Sequence, residues 1–315
     1  MKKLDIVSLG ELLVDLLPAG SSVQQQPLYE FNAGGAPANV ASAAAKLGLN
    51  AGLIAKVGDD AFGHMLYSSM TERNVKNEGI VFSRTCSTSL AVVHLNADGD
   101  RSFSLFADNP ADMDLRADEL PLNWLHNCRI FHFGARSLIG PSSREATLCA
   151  ASAARKAGGM ISFDPNLRPN LWANEERARA DALLGVDQAD FVKLAFEEMV
   201  FLYDTEDIAE VAQALAQKNK TLVVTNGAQG CYTWTSGGLL HVPAYRVTAV
   251  DTTGAGDAFW TAFLYRQLCG DSASMEEQLR FASAAGALVT QKKGSMSVQP
   301  TVEEVYLFME EKAHE

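Results

Sequence analysis

The sequence has no Gly-x-x-x-x-Gly-Lys-Ser/Thr stretch, and no Gly-x-Gly-x-x-Gly follows its first apolar run, so neither a P-loop NTPase nor a dinucleotide dehydrogenase is supported. Its five cysteines are scattered with no Cys-x-x-Cys pair, and they read as free thiols of a reducing compartment rather than as a disulfide framework. None of the six histidines sits in a His-x-x-x-His or Glu-x-x-His pair, which argues against a zinc site. Basic residues are outnumbered, 26 Lys and Arg against 38 Asp and Glu, for a formal charge of −12. Such a balance disfavours nucleic acid or an anionic membrane surface as the main partner. No apolar run reaches the roughly 18 residues of a membrane span. The opening Met1-Lys2-Lys3 is followed by Asp5, Glu11 and Asp15, a pattern unlike a signal peptide. A cytoplasmic protein is expected.

What is present is an ordinary globular composition, 47% hydrophobic and 20% charged over 315 residues, enough chain to bury a sizeable core. There is no internal repeat, low-complexity tract or linker. The most informative stretch is Asp251-Thr252-Thr253-Gly254-Ala255-Gly256-Asp257-Ala258-Phe259. It joins a glycine-rich turn and a carboxylate to a run that is apolar on nearly every face, as expected of a buried helix. The first amides of such a helix lack partners, and burial removes the water that would serve them. An anion suits that position by charge and by hydrogen bonding. Asp257 would repel a resting phosphate but makes sense as a base beside a phosphoryl group in transit. The simpler reading is a helix cap after a tight turn.

The rest of the chain alternates strand and helix, the rhythm of a mainly parallel sheet covered on both faces. Residues 4–10 predict a buried strand. Five residues after its terminal Gly10 comes Asp15, either solvated or placed to hold ligand hydroxyls, since open α/β sheets bind ligands at the carboxyl ends of their strands. Ala33-Gly34-Gly35-Ala36-Pro37-Ala38-Asn39 turns into an Ala-rich helix, with Pro37 in its first turn and Gly48 past its end. Asn39 either reaches a ligand or helps to cap. A strand over 51–57 and a helix to about residue 73 follow.

Between residues 89 and 106 the rhythm breaks. Two strands joined by Asn96-Ala97-Asp98-Gly99-Asp100 predict a hairpin. With the segment near residues 28–31 it would form a small sheet standing off the core as a lid, made of about 12–32 and 86–108. Phe103 and Phe106 would close over a ligand or pack within that sheet. The α/β rhythm resumes with Ile130 to Gly134, a helix near 142–156 and a strand over 159–163. Asp164-Pro165-Asn166-Leu167-Arg168 ends that strand with an arginine suited to phosphate oxygens or to an ion pair with Asp164. A strand over 190–194 leads to Glu197-Glu198, acids that would reach Mg²⁺ through water or favourably charge a helix start. The run 222–230 is a strand and turn able to support a nucleotide. Helices over 275–290 and about 302–312 close the chain.

On these residues the chain resembles the ribokinase-like, or PfkB, sugar kinases over nearly its whole length. Two signature regions carry the likeness: residues 33–39 with Gly48, Gly58 and Gly63, and residues 251–259. The run Lys56-Val57-Gly58-Asp59-Asp60, Phe131-His132-Phe133-Gly134, and Asp164 to Arg168 with Leu171-Trp172 look most like fructokinases. The resemblance implies a single kinase domain over 1–315, a three-layer αβα fold with a mainly parallel sheet and a small β-sheet lid. It implies transfer of the γ-phosphoryl of MgATP to a primary hydroxyl, most simply the 6-hydroxyl of fructose. 2-Keto-3-deoxygluconate, ribose or a nucleoside are the rival acceptors, and a non-catalytic sugar or nucleotide sensor is the rival from another class.

Carried over position by position, Asp257 would be the base, and Gly254, Ala255 and Gly256 would form an anion hole. Arg168 would meet the phosphoryl group, and Asp15, Gly34, Gly35 and Asn39 would hold the sugar. Lys193, Glu198, Thr225, Gly227 and Gly230 would serve ATP, with adenine near Ala284, Ala287 and Gly294. Asp251 and Thr253 match a K⁺ position. Mg²⁺ would sit near Glu198 through water, although Ala195 replaces the family's usual Asn there. A homodimer through the lid is implied by the same analogy.

Overall fold

The computed structural model describes residues 3–95, 101–106, 109–270 and 272–313, with the side chains of 93–95 and 101–105 left aside. The turn over 96–100 and the Phe103 side chain therefore lie outside the described residues.

Thirteen strands and ten α-helices are described. The first third holds β1 Leu4–Leu9, β2 Leu13–Ser21, β3 Pro27–Gly34, α1 Ala36–Lys46, β4 Ala51–Gly58, α2 Ala61–Glu72, β5 Lys76–Ser83, β6 Leu90–Leu95 and β7 Arg101–Phe106. The middle holds α3 Leu122–Leu125, β8 Cys128–Phe133, α4 Pro141–Lys156, β9 Met160–Phe163, α5 Glu175–Gln188, β10 Phe191–Ala195, α6 Phe196–Tyr203 and α7 Ile208–Ala216. The last third holds β11 Thr221–Thr225, β12 Cys231–Thr235, β13 Gly238–Val242, α8 Ala255–Cys269, α9 Met275–Thr290 and α10 Val302–Ala313.

Nine strands form the central sheet in the order β13-β12-β11-β10-β9-β8-β1-β4-β5. It is parallel from β5 to β11, and β12 and β13 add an antiparallel edge. Strands buried on both faces read as continuous apolar runs, and β4 is buried at every position. Helices cover both faces. One layer is packed around Phe131, Phe133, Phe163 and Leu194, and the other around Trp260, Phe263 and Phe281.

The central helix α8 explains its own composition. It is sandwiched against α1 and α9, so Ala258, Phe259, Trp260, Ala262, Phe263 and Leu264 are all buried. Full burial of each large side chain is worth about 1.5–3 kcal/mol. The helix starts at Gly254, left-handed with φ 76°. A Cβ there would come 2.6 Å from Cβ of Ser295, so both the backbone angle and the space require glycine.

A second sheet of four strands, in the order β3-β2-β6-β7, stands apart from the first. The predicted small sheet is thus present, with β3 running on to Gly34 and delivering the chain directly into α1. It displays Leu28, Tyr29, Phe31 and Phe106 at its surface. No described helix is long and apolar enough to cross a membrane.

Candidate active site

A cavity of about 1260 Å³ opens where the carboxyl ends of the parallel strands face the small sheet, the place where open α/β sheets bind their ligands. Each wall traces to a chain segment already singled out. The loop after β1 brings Glu11 and β2 brings Asp15. The turn into α1 brings Gly35 and Asn39, the segment after β9 brings Asp164 to Arg168, and β10 with α6 brings Lys193 and Glu198. Thr253, Gly254, Gly256 and Asp257 form the floor.

Asp257 is 7% exposed, in the first turn of α8. Its Oδ2 accepts a hydrogen bond from Asn39 Nδ2 at 2.7 Å, and Asn39 Oδ1 in turn accepts from Ser295 Oγ at 3.1 Å. These bonds replace two simpler readings. The N-cap positions of α8 and α1 are the glycines Gly254 and Gly35, and among the described residues the side chains of Asp257 and Asn39 bond each other and Ser295 rather than an amide of their own helices. They form a hydrogen-bonded pair across the cavity floor. Burial pushes the Asp257 carboxyl up to about 7, helped by the charge of Asp164, while the Asn39 bond and the cations Lys193 and Arg168 pull it back. A carboxylate with that value is half ionised near neutrality.

Lys193 is buried beneath this point and donates from Nζ to Asp164 Oδ2 at 2.7 Å. Burial pulls its ammonium down, but Asp164 and Glu198 lift it beyond the usual lysine range. A Cβ on Gly256 would stand 3.3 Å from Nζ, so the glycine lets the first turn of α8 approach the ammonium. The amino end of the helix and the cation together form a positive floor.

Because Asp164 is engaged by Lys193, the alternative of an Arg168–Asp164 ion pair is not what the structure holds. Arg168 is exposed at the cavity rim and donates to the carbonyl of Leu167 at 3.0 Å. Among the described residues no carboxylate pairs with it. Glu198 accepts from Leu167 N at 2.6 Å through Oε1 and from Ala195 N at 2.7 Å through Oε2. It thereby ties the start of α6 to the loop after β9. Its neighbour Glu197 lines the rim.

On the opposite wall Asp15 lies in β2, across from Asn32 and beside Ala91. A Cβ on Gly34 would fall 2.0 Å from Asp15 Oδ2, so the glycine makes room for the carboxylate. Burial raises Asp15 to about 6, and its carboxylate has no hydrogen bond from any described residue.

Other expected residues lie outside this cavity. Asp251 is buried, and its oxygens accept from Thr253 N at 2.8 Å and Gly294 N at 3.1 Å. It thus joins the loop before α8 to the loop after α9. Thr225 ends β11 directly beside Ala195, and Gly227 and Gly230 form the turn that follows. These residues flank the Lys193 end of the cavity on the next strand. On α9, Ala284 is fully buried and presents no surface, whereas Ala287 is half-buried. Ala255 lies under α9, where its carbonyl would meet a Cβ on Gly286 at 3.3 Å.

Two charged lining residues were not among the expected site residues, Glu11 and Arg136. Arg136 follows β8 and donates from Nε to Asp112 Oδ2 at 2.8 Å. Glu11 accepts from Ala36 N at 3.0 Å, and burial pushes it up to about 7 against the pull of Arg136. Glu11 had one available signal, its place between the first strand and Asp15. Arg136 had none, because its partner Asp112 is remote in sequence.

Comparison with known proteins agrees with this arrangement. The sequence matches the pfkB family carbohydrate kinase over residues 3–302. It is 42% identical to a probable fructokinase-4 of Arabidopsis thaliana over 309 residues, covering 95% of each chain. Its fold superposes on the fructokinase with bound ATP from Xylella fastidiosa with a TM-score of 0.89 at 34% identity, covering 98% and 99% of the two chains. A fructokinase from Vibrio cholerae O395 in fructose-, ADP- and calcium-bound form gives 0.87 at 34% identity, covering 97% and 99%. A carboxylate at the buried start of a helix, a positive floor and a near full-length match of sequence and fold have one common reading: this chain belongs to the pfkB family of carbohydrate kinases.

Proposed function

We propose that the protein transfers the γ-phosphoryl group of ATP to the 6-hydroxyl of fructose, with the whole chain acting as one kinase unit and the small sheet as its lid. The observation that carries this reading is the pair of carboxylates facing each other across one cavity. Asp257 is held by Asn39 at the start of α8, while Asp15, on the small sheet, has no hydrogen bond from any described residue. The fructokinase names and the fructose- and ADP-bound relative support the choice of acceptor.

In this reading Asp15, Gly34, Gly35 and Asn39 orient the sugar so that one hydroxyl meets Asp257. A carboxylate with a value near 7 is a better base than an ordinary aspartate. It takes the hydroxyl proton as the new P–O bond forms, and the proton remains on Asp257 until it escapes to solvent. Transition states of phosphoryl transfer are loose, so alignment and charge stabilisation supply most of the catalysis. The amides at Gly254 and Gly256, that of Ala255 once turned from the Thr252 carbonyl it serves at 3.2 Å, the ammonium of Lys193 and the exposed guanidinium of Arg168 would meet the phosphoryl oxygens. The helix-start amides and the Lys193 ammonium, held by Asp164 at 2.7 Å, are preorganised for that task.

Thr225, Gly227, Gly230, Ala287 and Gly294 flank the end of the cavity where the nucleotide would lie, with Ala284 packed beneath. Each Glu198 oxygen accepts one amide and keeps further acceptor capacity, which suits Mg²⁺ held through water. Held there, the ion would neutralise charge on the transferring phosphates. Asp251 and Thr253 sit where a K⁺ ion would stabilise the loop before α8. The surface residues Leu28, Tyr29, Phe31 and Phe106 support a homodimer through the small sheets.

A sugar-acid acceptor is disfavoured because Arg136, the buried cation of the acceptor wall, is already matched by Asp112. The test is ADP release with MgATP and K⁺ across fructose, ribose, 2-keto-3-deoxygluconate, glucose and adenosine. Fast turnover on fructose alone is expected. Preference for another acceptor would overturn the fructose assignment, and no turnover by folded protein would favour a sensor.

A further inference from the structure

The chain passes between the central sheet and the small sheet four times: into β2 after Gly10, out of β3 at Gly35, into β6 at Ser89, and out of β7 before Asp112. Two of these passages bond one buried guanidinium directly, and the other two are joined to them through Glu11 and Val14. Arg136 donates from Nε to Asp112 Oδ2 at 2.8 Å and from Nη2 to Ser89 Oγ at 3.5 Å, and Ser89 Oγ donates to Asp112 Oδ1 at 2.6 Å. The Ser89 carbonyl accepts Val14 N at 3.1 Å, which joins the third passage to the first. Glu11 Oε1 accepts Ala36 N at 3.0 Å, which joins the first to the second.

Arg136 itself comes from the core, in the short helical turn after β8. Its side chain is about 10% exposed and that of Asp112 3%. Glu11 Oε2 is buried with no hydrogen-bond partner among the described residues, and the field of Arg136 is the opposing charge acting on it. A buried charge cluster of this kind gives little net stability but holds geometry strongly, because each broken contact leaves a buried charge uncompensated.

We infer that Arg136 is a positioning residue for the acceptor site: by pinning the four strand passages to the core, it sets where Asp15 and Gly34-Gly35 stand relative to Asp257. The inference rests on the reading of the small sheet as the acceptor-binding wall. Neither Arg136 nor Asp112 needs to touch the phosphoryl group. Their effect reaches the reaction through Asp15, which lies in β2 four residues along the chain from Glu11. A second tie, Asp60 accepting from Thr88 N and Thr88 Oγ1, holds only the passage into β6. Loss of Arg136 therefore loosens the sheet without releasing it.

The test compares Arg136→Lys, which keeps the charge but loses the fork, with the double variant Arg136→Met/Asp112→Asn, which removes both partners of the ion pair and leaves only Glu11 without its opposing charge. Acceptor KM, ATP KM, kcat and melting temperature are measured with whichever acceptor the wild-type protein turns over. Failure of fructose in the wild type thus strikes the proposed function and not this inference. Acceptor KM is expected to rise about tenfold or more in the double variant and less in Arg136→Lys, with ATP KM within about twofold of wild type. Amide hydrogen exchange should quicken in residues 13–34 while β8 to β10 keep wild-type protection, a readout that stands without activity. A double variant that melts near the wild-type temperature with unchanged acceptor KM and unchanged exchange in 13–34 would overturn the inference. So would equal loss in acceptor KM, ATP KM and kcat, which is the mark of general loosening.

Discussion

The two walls of the cavity are built in opposite ways. The core wall presents Asp257 from the start of a helix buried on every side, held by Asn39 and surrounded by fixed charges. The small-sheet wall presents Asp15 from a strand whose outer half is exposed, and its carboxylate carries no hydrogen bond from the described residues. Rigid and satisfied on one side, thin and unsatisfied on the other, the cavity separates two tasks. A base must sit within tenths of an ångström of its proton, which needs dense packing. A recognition wall must admit and release the sugar, which needs a surface that can move and a polar group left for the ligand.

The contrast can be broken most severely at the core wall. Asp257→Asn is expected to lower kcat by about 10²- to 10⁴-fold with the fold intact by circular dichroism. Near-normal turnover would remove Asp257 from the base role. Asp15→Asn should act on the other parameter, raising acceptor KM by about ten- to a hundredfold through loss of charge-assisted hydroxyl bonds, with a smaller change in kcat. If kcat fell as far as in Asp257→Asn, the division of tasks between the walls would be wrong. Arg168→Ala should lower kcat about tenfold or more, and unchanged kinetics would confine that exposed side chain to the surface.

Smaller effects sharpen the comparison. With Asp257 as the proposed base, its carboxyl, pushed up to about 7, would have to be ionised to act, so kcat/KM should rise with pH through that value. The Asn39 bond lowers the Asp257 value, so Asn39→Ala should move the inflection to higher pH. An inflection that stayed in place would mean that another group controls it. Stability gives the same information with the opposite slope. The folded value of about 7 lies above the ordinary 3.8, so the folded chain holds this proton more tightly than the unfolded chain does. The Asp257 contribution therefore declines as pH climbs from about 4 to about 7. Asp257→Asn should gain stability relative to wild type across that window, by on the order of 1–4 kcal/mol at most. Urea midpoints at pH 5 and pH 8 measure it, and an equal difference at both would show that the buried carboxylate is not the source.

Much of this was legible in the residues. The glycine-rich turn before an apolar helix, the Gly-Gly entrance to α1 and the hairpin between β6 and β7 are local patterns, and local patterns survive in one dimension. Helices α5 and α7 and strand β5 escaped the reading. β5 mixes Lys76, Asn77 and Glu78 into its first half, and α5 carries so many charges that its apolar face is narrow. The Asn39–Asp257 bond spans 218 residues and no spacing rule reaches it. Both residues were singled out separately, each with a plausible local role as a cap, and their partnership appears only when α1 and α8 pack side by side. The Lys193–Asp164 pair removed Asp164 from Arg168 in the same way.

The sequence by itself determined the alternation of elements, the buried character of α8, the glycines that permit its approach to an anion, and the carboxylate beside them. These follow from backbone sterics and hydrophobic period, properties of neighbours along the chain. Only the tertiary structure decided which charges meet. It alone buries Asp257 until its carboxyl is raised to about 7, leaves Asp15 with no hydrogen bond from the described residues in a facing wall, and gathers Glu11, Ser89, Asp112 and Arg136 at the root of the small sheet. The reason is physical: desolvation and Coulomb energies depend on distance and burial in space, and neither quantity exists until the chain has folded.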